Sequence, residues 1–388
     1  MLYLKAASSI VNRYLLVFYS DHLGRSVLLN ERVYNFSLTT QSHLFELVLS
    51  NMATAIDLFA GIGGIRLGFD RAFDNKLKTV FVCELDKSAQ KTYKANFSDS
   101  ENIAGDITQV NEQDIPPFDI CLAGFPCQAF SIAGKHGGFQ DNYQGRCRGT
   151  LFLDVARICK YHQPKVIFCE NVKGLVHHDK GRTFSIIKES FEEIGYTVFS
   201  KVLNSKDFGV PQNRERVYIV CFRNDLAPSK FDFPEGNGKK ITIRNIMESA
   251  PIPSKYYLSD TYLNTLKAHR ARHEAAGHGF GYVIRDLDGI AGAIVCGGMG
   301  REGNLIIDER EHSMVPMTKI QGKINQENVR KMTPREWARL QGFPENYKLP
   351  LSDTQHYKQL GNTVTVAVIE AIAAAIKATL SNYEIKQP

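Results

Sequence analysis

No CxxC pair occurs in the chain; its eight cysteines (Cys83, Cys121, Cys127, Cys147, Cys159, Cys169, Cys221, Cys296) are scattered singly. That excludes the usual zinc spacings and a disulfide framework, so no metal is expected and a reducing cytosol is the natural setting. Near the N-terminus the longest apolar stretch covers only residues 14–20, between Arg13 and Asp21. It is too short to span a bilayer, and no small-residue cleavage site follows it. Charge of one sign is scarce as well: Lys and Arg number 47 against 41 Asp and Glu, a net charge of +6. So mild an excess is compatible with a nucleic-acid partner without requiring one. Internal repeats and low-complexity tracts are absent, which leaves an ordinary globular composition at 43% hydrophobic and 23% charged. With 388 residues there is room for about two domains.

What the chain does have is a rhythm that starts at residue 54. β-rich runs TAIDLF (54–59), TVFVCEL (79–85), DICLAG (119–124), KVIFCE (165–170) and RVYIVCF (216–222) alternate with helical patterns. Those patterns are GIRLGFDRAF, DKSAQKTYKANF, LFLDVARICKYH and RTFSIIKESFEEI. Near-continuous apolar strands spaced by amphipathic helices predict an α/β fold, a parallel sheet covered on both faces. Cys83, Cys121, Cys169 and Cys221 fall inside these runs and read as small hydrophobes. In such sheets ligands bind at the carboxyl ends of the strands.

After Asp225 the rhythm stops at the Pro/Gly/Lys-rich break APSKFDFPEGNGKK. Residues 229–350 carry glycine clusters, loops and weak strands, with 18 basic and 14 acidic side chains, so most of the net positive charge lies there. The spacing then predicts one apolar helix over 360–380 that returns to pack on the first domain. The expected organisation is an N-terminal extension (1–51), a catalytic and cofactor domain (52–228), a smaller irregular domain (229–350) and a returning segment (351–388).

Gly61, Gly63 and Gly64 follow the first strand directly in DLFAGIGGIRLGF. Glycines there allow a tight turn and bring a ligand close to N–H groups at a helix start. A dinucleotide fingerprint requires another glycine at position 66, where this chain has Arg66, so a pyrophosphate site and an oxidoreductase are disfavoured. Glu84 closes the second strand, where an acid can accept both ribose hydroxyls. Asp106, in GDIT, falls near the next strand position and suits an adenine amino group. Either acid alone is more often a helix cap. Together with the glycines they favour a nucleoside ligand without a pyrophosphate, a description that S-adenosylmethionine fits.

Cys127 follows a strand in GFPCQ, with Pro126 stiffening the turn; Glu170 closes the next strand in CENVKG; Arg214 and Arg216 precede RVYIVCF in PQNRER. Singly, they read equally well as a buried hydrophobe, a helix cap and a surface ion pair. At successive strand ends a thiolate, a carboxyl and a guanidinium pair make a coherent site for attack on an electron-poor ring.

FAGIGG, ELD, GDIT, GFPCQ, CENVKG, QNRERVY and LGNTV, in that order, resemble the motifs of the DNA (cytosine-5)-methyltransferases, most strongly the bacterial restriction-modification type, over residues 54–380. The resemblance implies the Rossmann-like, mostly parallel sheet of S-adenosylmethionine-dependent methyltransferases with a target-recognition domain at 229–350. It implies that Cys127 adds to C6 of a cytosine rotated out of duplex DNA. Glu170 would hold the N3/N4 edge and protonate N3, Arg216 would contact O2, and Arg214 would orient the catalytic group or a phosphate. Gln128, Ser131 and the glycines after them would form a closing loop, longer here at 142–147 than in many relatives. For S-adenosylmethionine the matching positions are Phe59, Gly61, Ile62, Gly63, Gly64, Glu84, Leu85, Asp106, Ile107, Pro126, Leu151, Asn362 and Thr363. Leu85 stands where some relatives have an aromatic, and Thr363 where serine is more usual. TPREWARLQGFP (333–344) resembles the motif that supports the recognition region. Within that region Gly297 and Gly298 suit close approach to DNA, and Arg285, Arg301 and His278 are candidate contacts.

The partners implied are double-stranded DNA and, genetically, a cognate restriction endonuclease. The protein is expected to be a monomer with no membrane association, in the bacterial cytoplasm at the nucleoid. A transfer-RNA cytosine methyltransferase and a catalytically silent DNA-binding relative are the alternatives. Against the first stands a recognition region of about 100 residues; against the second, the joint presence of Cys127, Glu170 and both arginines. Residues 1–51 hold 4 basic and 3 acidic side chains and no motif. They read as upstream sequence before a start at Met52, or as a small extension packed on the sheet.

Overall fold

The computed structural model describes residues 19–20, 26–27, 53–126, 142–143, 146–147, 151–297, 300–310 and 322–384. The chain forms two compact units, residues 1–52 and 53–388. In the first, Tyr19–Ser20 pairs antiparallel with Ser26–Val27.

The second unit is built on a six-stranded sheet whose strands are β1 (Thr54–Leu58), β2 (Lys78–Cys83), β3 (Ile120–Ala123), β4 (Val166–Val172), β5 (Tyr196–Asn204) and β7 (Glu215–Arg223). A short β6 (Gln212–Asn213) lies outside this sheet. The order across the sheet is β2-β1-β3-β4-β7-β5. β2, β1, β3 and β4 are mutually parallel, whereas β7 runs antiparallel to both β4 and β5. The expectation of a parallel final strand is therefore corrected: RVYIVCF enters the sheet from the opposite end. β5 was not foreseen, because as an edge strand it exposes Ser200 and Lys201 and lacks a clean apolar pattern.

The alternation of side chains sorts each strand between two cores. Ile56, Leu58, Cys121, Ala123, Ile167, Cys169, Ile219 and Cys221 face α3 (Leu151–His162) and α4 (Arg182–Glu193). Ala55, Ile120, Leu122, Val166, Phe168, Tyr218, Val220 and Phe222 face α1 (Gly64–Ala72) and α9 (Val366–Glu384). The interior cysteines behave as the apolar runs predict, and burial holds the Cys159, Cys169 and Cys221 thiols well above their usual range. α9 is apolar because Val368, Ile369, Ile372, Ala373 and Ile376 are fully buried against α1. An isoleucine-to-alanine change there costs about 2–5 kcal/mol.

The single helix expected over 360–380 is two. α8 (Asp353–Asn362) ends at Thr363, whose extended ψ of 178° breaks the run before α9 begins. The β-branched stretch TVTV favours that break, which leaves Asn362 and Thr363 at a turn instead of inside a helix.

Residues 229–350 hold α5 (Ile243–Ile246), α6 (Asp260–Ala275), β8 (Ala291–Gly292), β9 (Leu305–Ile307), β10 (Val329–Lys331) and α7 (Pro334–Leu340). Leu258, Leu263, Leu266, Leu305 and Val329 form a small separate core. Trp337 and Leu340 of α7 instead share a cluster with Ile62, Leu360 and Val366 of the sheet side. Arg330 of β10, fully buried, is paired at 2.7 Å with both Asp308 and Glu336, binding the small core to α7.

Candidate active site

The carboxyl end of the sheet opens into a cavity of about 590 Å³. One end is built by the turns after β1 and β2. Phe59 and Gly61 take left-handed backbone angles, φ 55° and 56°, to curl the chain after β1. An added Cβ at Gly61 would meet nothing within 4 Å, so this glycine leaves an open cradle toward the cavity. Gly63 and Gly64 do not line the cavity; they pack. A Cβ on Gly63 would collide with the Phe97 ring, and one on Gly64 would lie 2.6 Å from the Thr363 hydroxyl.

Glu84 is held by two backbone donors, Gly61 N–H at 2.8 Å and Asp86 N–H at 2.7 Å. Burial raises its carboxyl above the ordinary value, and these two donors oppose the rise. Asp86 then caps α2 (Lys87–Asn96) by accepting from Ser88 and Ala89 N–H. Leu85 projects at the rim, 60% exposed, as an apolar platform. Asp106 accepts from Thr108 N–H and hydroxyl, and with Ile107, Pro126 and Leu151 completes this end. Asn362 and Thr363 close it from the α8–α9 turn. Arg66 lies elsewhere, its guanidinium bound to Asp99 at 2.8 and 2.6 Å and stacked 4.3 Å over Phe97. This end fits S-adenosylmethionine: a carboxylate for a ribose, an apolar rim for a base, an open glycine cradle, and no second glycine space for a pyrophosphate.

The other end is built by β4 and β7. Because β7 is antiparallel, its first residues lie beside the last residues of β4, with Arg216 opposite Val172 and Tyr218 opposite Glu170. Arg216 Nε sits 3.3 Å from Glu170 Oε1, and both side chains are largely enclosed. Burial pushes the Glu170 carboxyl up, with Arg216 and then Arg214 pulling the other way. A carboxyl in that balance can hold a proton or release one to a ring nitrogen in contact with it. Arg214 does not point its fork at the cavity alone. Its Nη atoms donate to the carbonyls of Ile294 at 2.7 Å, Thr363 at 2.7 Å and Gly361 at 3.5 Å.

Cys127, Gln128, Ser131 and Gly298 lie outside the described residues, as do most of residues 138–150. Lining the cavity immediately before Cys127 are Gly124, Phe125 and Pro126. Asn171, which sequence reasoning passed over, donates from Nδ2 to the Phe125 carbonyl at 3.2 Å and accepts from Val172 N–H at 2.8 Å. It fixes the end of β4 to the segment that carries the thiol, and its place inside CENVKG was the available signal. Lys358, also unforeseen, borders the cavity and pairs with Asp86 at 2.7 Å.

Arg285, Arg301 and His278 are not brought to the cavity. Arg285 binds the Gly303 carbonyl and Asn304 Oδ1, at 3.1 and 3.2 Å, and so shapes its own turn. Arg301 stacks 5.4 Å over Tyr357. His278 is exposed.

The family of C-5 cytosine-specific DNA methylases matches residues 53–378. The chain is 53% identical over 333 residues to the type II methyltransferase M.HpaII of Haemophilus parainfluenzae, covering 85% of this chain and 90% of that one. It is 46% identical over 329 residues to M.SsoII of Shigella sonnei, covering 84% and 80%. Among solved structures it resembles the Entamoeba histolytica methyltransferase EhMeth (TM-score 0.65, 20% identity, 87% of this chain and 100% of that one). The S. pombe Dnmt2 methyltransferase is similar at TM-score 0.63 and 19% identity, covering 85% and 99%. Likeness at that identity establishes the fold.

Proposed function

We propose a division of labour among the cavity residues for a chain that belongs to the C-5 cytosine-specific DNA methylase family and is a DNA (cytosine-5)-methyltransferase. The observation that carries it is the continuity of one cavity from Gly61, Glu84 and Leu85 to Glu170 and Arg216. A methyl donor at one end and a pyrimidine at the other would share a wall.

Bound S-adenosylmethionine supplies an electrophilic sulfonium methyl group. Glu84 holds its ribose hydroxyls, Leu85 and Ile107 enclose the adenine, Asp106 accepts from the adenine amino group, and Phe59, Gly61, Ile62, Pro126, Leu151, Asn362 and Thr363 form the remaining walls. Gly63 and Gly64 act from behind, keeping the glycine turn against Phe97 and Thr363.

The target cytosine is unreachable inside a duplex, so it is rotated out of the stack at a cost of about a few kcal/mol. The Cys127 thiolate adds to C6 while the Glu170 carboxyl gives its proton to N3, so that the ring carries no net charge and C5 becomes nucleophilic. Arg216 orients Glu170 and donates to O2. After C5 is methylated, loss of the C5 proton to water re-forms the C5–C6 double bond and expels the thiolate, and the N3 proton returns to the Glu170 carboxylate. Arg214 positions the surrounding backbone.

Residues 229–350 read the target sequence in double-stranded DNA. A cognate restriction endonuclease is the genetic partner, and the enzyme acts as a monomer in the bacterial cytoplasm, on nucleoid DNA. The test is transfer of labelled methyl groups from S-adenosylmethionine to unmethylated duplex DNA or to transfer RNA. Label in 5-methylcytosine of the duplex supports this reading; label confined to RNA refutes it.

A further inference from the structure

The strand that brings Arg216 to the cavity is pinned at its first residues from both sides. On one side lies β5. Glu215 pairs with its last residue, Asn204, whose Oδ1 accepts from Arg214 N–H at 3.1 Å and whose Nδ2 donates to Asn213 Oδ1 at 2.6 Å. On the other side lies the end of β4. Lys173 follows its last residue directly, one step past the register pair of Arg216 and Val172. The Lys173 ammonium donates to both Glu215 carboxylate oxygens, at 3.1 and 2.9 Å. Its mount is rigid, because Lys173 opens a short turn (Lys173–Val176) whose Leu175 is fully buried.

Arg216 depends on this anchorage. Its Nη1 donates to the Glu215 carbonyl at 2.7 Å, while its Nε sits 3.3 Å from Glu170 Oε1. The first contact is a short hydrogen bond and the second a longer one, so a small displacement of residue 215 separates the guanidinium from the carboxyl. Side chains alternate along β7, so Glu215 faces away from Arg216, and the grip of Lys173 reaches Arg216 through the backbone. Lys173 and Glu215 are 49% and 44% exposed. A pair so exposed adds at most about 1 kcal/mol to stability. Fold stability therefore does not account for a two-oxygen grip at this register.

We propose that Lys173 and Glu215 form a clamp that holds Arg216 against Glu170, and so sets how readily that carboxyl gives its proton to the target ring. The inference rests on the function proposed above, and both are positioning residues in it. Among the described residues, the charged groups acting on the Glu170 carboxyl are Arg216 and then Arg214, with the Tyr218 phenol facing it from β7. Arg214 is tied to the Ile294 and Thr363 carbonyls, which leaves Arg216 as the adjustable one. With the clamp open, Arg216 pulls less on the carboxyl. Glu170 then keeps its proton to higher pH, and the contact that aligns it is lost.

The experiment is single-turnover transfer of labelled methyl groups from S-adenosylmethionine, with the full chain in excess over sheared, unmethylated duplex DNA of mixed sequence, from about pH 5 to 9. Lys173→Met and Glu215→Gln should each lower the rate about 10-fold, as a misplaced catalytic group does, and move the high-pH limb to higher pH. Retention of the DNA on filters should stay within about 2-fold of the wild type. The double variant should also lose about 10-fold, because the two side chains act as one unit, whereas independent effects would give about 100-fold. Lys173→Arg, which can grip the same carboxylate, should recover most of the rate that Lys173→Met loses. A merely structural defect would lower Tm without moving the limb. A phosphate contact made by Lys173 would weaken DNA retention in Lys173→Met and leave Glu215→Gln active. Either result overturns the clamp, as do single variants with wild-type rates or a double variant that loses about 100-fold. A wild type that transfers no methyl group to this DNA refutes the proposed function and the clamp with it, whereas transfer undiminished in the variants refutes only the clamp.

Discussion

Asp57 is a carboxyl shut away from water in the middle of β1, two residues before the left-handed turn at Phe59. Oδ2 accepts from the Tyr93 hydroxyl at 3.0 Å, and Oδ1 has no partner among the described residues. Tyr93 also packs against Gly63, so this cluster floors the glycine turn. Burial pushes the carboxyl from 3.8 up to about 7, against the Tyr93 hydrogen bond and Arg66 and with help from Asp70 and Glu84. Unfolding frees the group to titrate at its ordinary value. Its contribution to stability is therefore full below about pH 3.8 and is lost as pH rises to about 7. Each unit in that window is worth about 1.4 kcal/mol, on the order of 4 kcal/mol in all. Asp57→Asn keeps an acceptor for Tyr93 and removes the proton. Its unpaired amide costs about 1–3 kcal/mol at every pH, so the offset between the two proteins is set by that cost while the slope is set by Asp57. Between pH 5 and 8 the variant should gain about 2–3 kcal/mol on the wild type. That is about 4 °C in Tm for a unit of this size. Thermal melts of both proteins across that range measure it, and shifts from Asp70 and Glu84 largely cancel in the difference. A Tm difference constant from pH 5 to 8 would refute the reasoning.

Glu170→Gln removes the proton destined for N3, so turnover should fall by about 100-fold or more while retention of DNA on filters changes far less; an unchanged turnover number refutes the role. Cys127→Ser should abolish transfer while S-adenosylhomocysteine still binds, and only the wild type should form a denaturation-resistant adduct with duplex carrying 5-fluorocytosine. Gly61→Ala adds a methyl group that meets only the open cradle at φ 56°, so backbone strain of about 1–2 kcal/mol should accompany a larger loss of S-adenosylhomocysteine affinity, read by calorimetry. Exchanging residues 229–330 with a relative's should move the methylated sequence and keep the C5 product, and DNA binding should weaken with added salt; a sequence preference that stays with residues 52–228 refutes the assignment.

Most of this site was legible because its parts sit at strand ends, where short polar motifs interrupt apolar runs and stand out. Glu84, Asp106, Glu170 and the glycine turn needed only that contrast. Asn171 stood out only as a member of CENVKG; its tie to Phe125 was not legible, since the partner is a backbone carbonyl far along the chain and side-chain type says nothing about which carbonyl will be near. The break after Asn362 was hidden by apolarity on both sides of it, because burial and helix continuity give the same pattern. The arginines teach the most. Two guanidinium groups placed before a parallel strand would lie at the amino end of the sheet, remote from Glu170. Arg216 reaches Glu170 because β7 runs the other way, opposite Val172 where β4 ends. The demand that a carboxyl closing one strand meet an arginine opening another is met only by reversing one of the two. The chemistry at the rim therefore implies the antiparallel strand, which no periodicity in RVYIVCF could reveal.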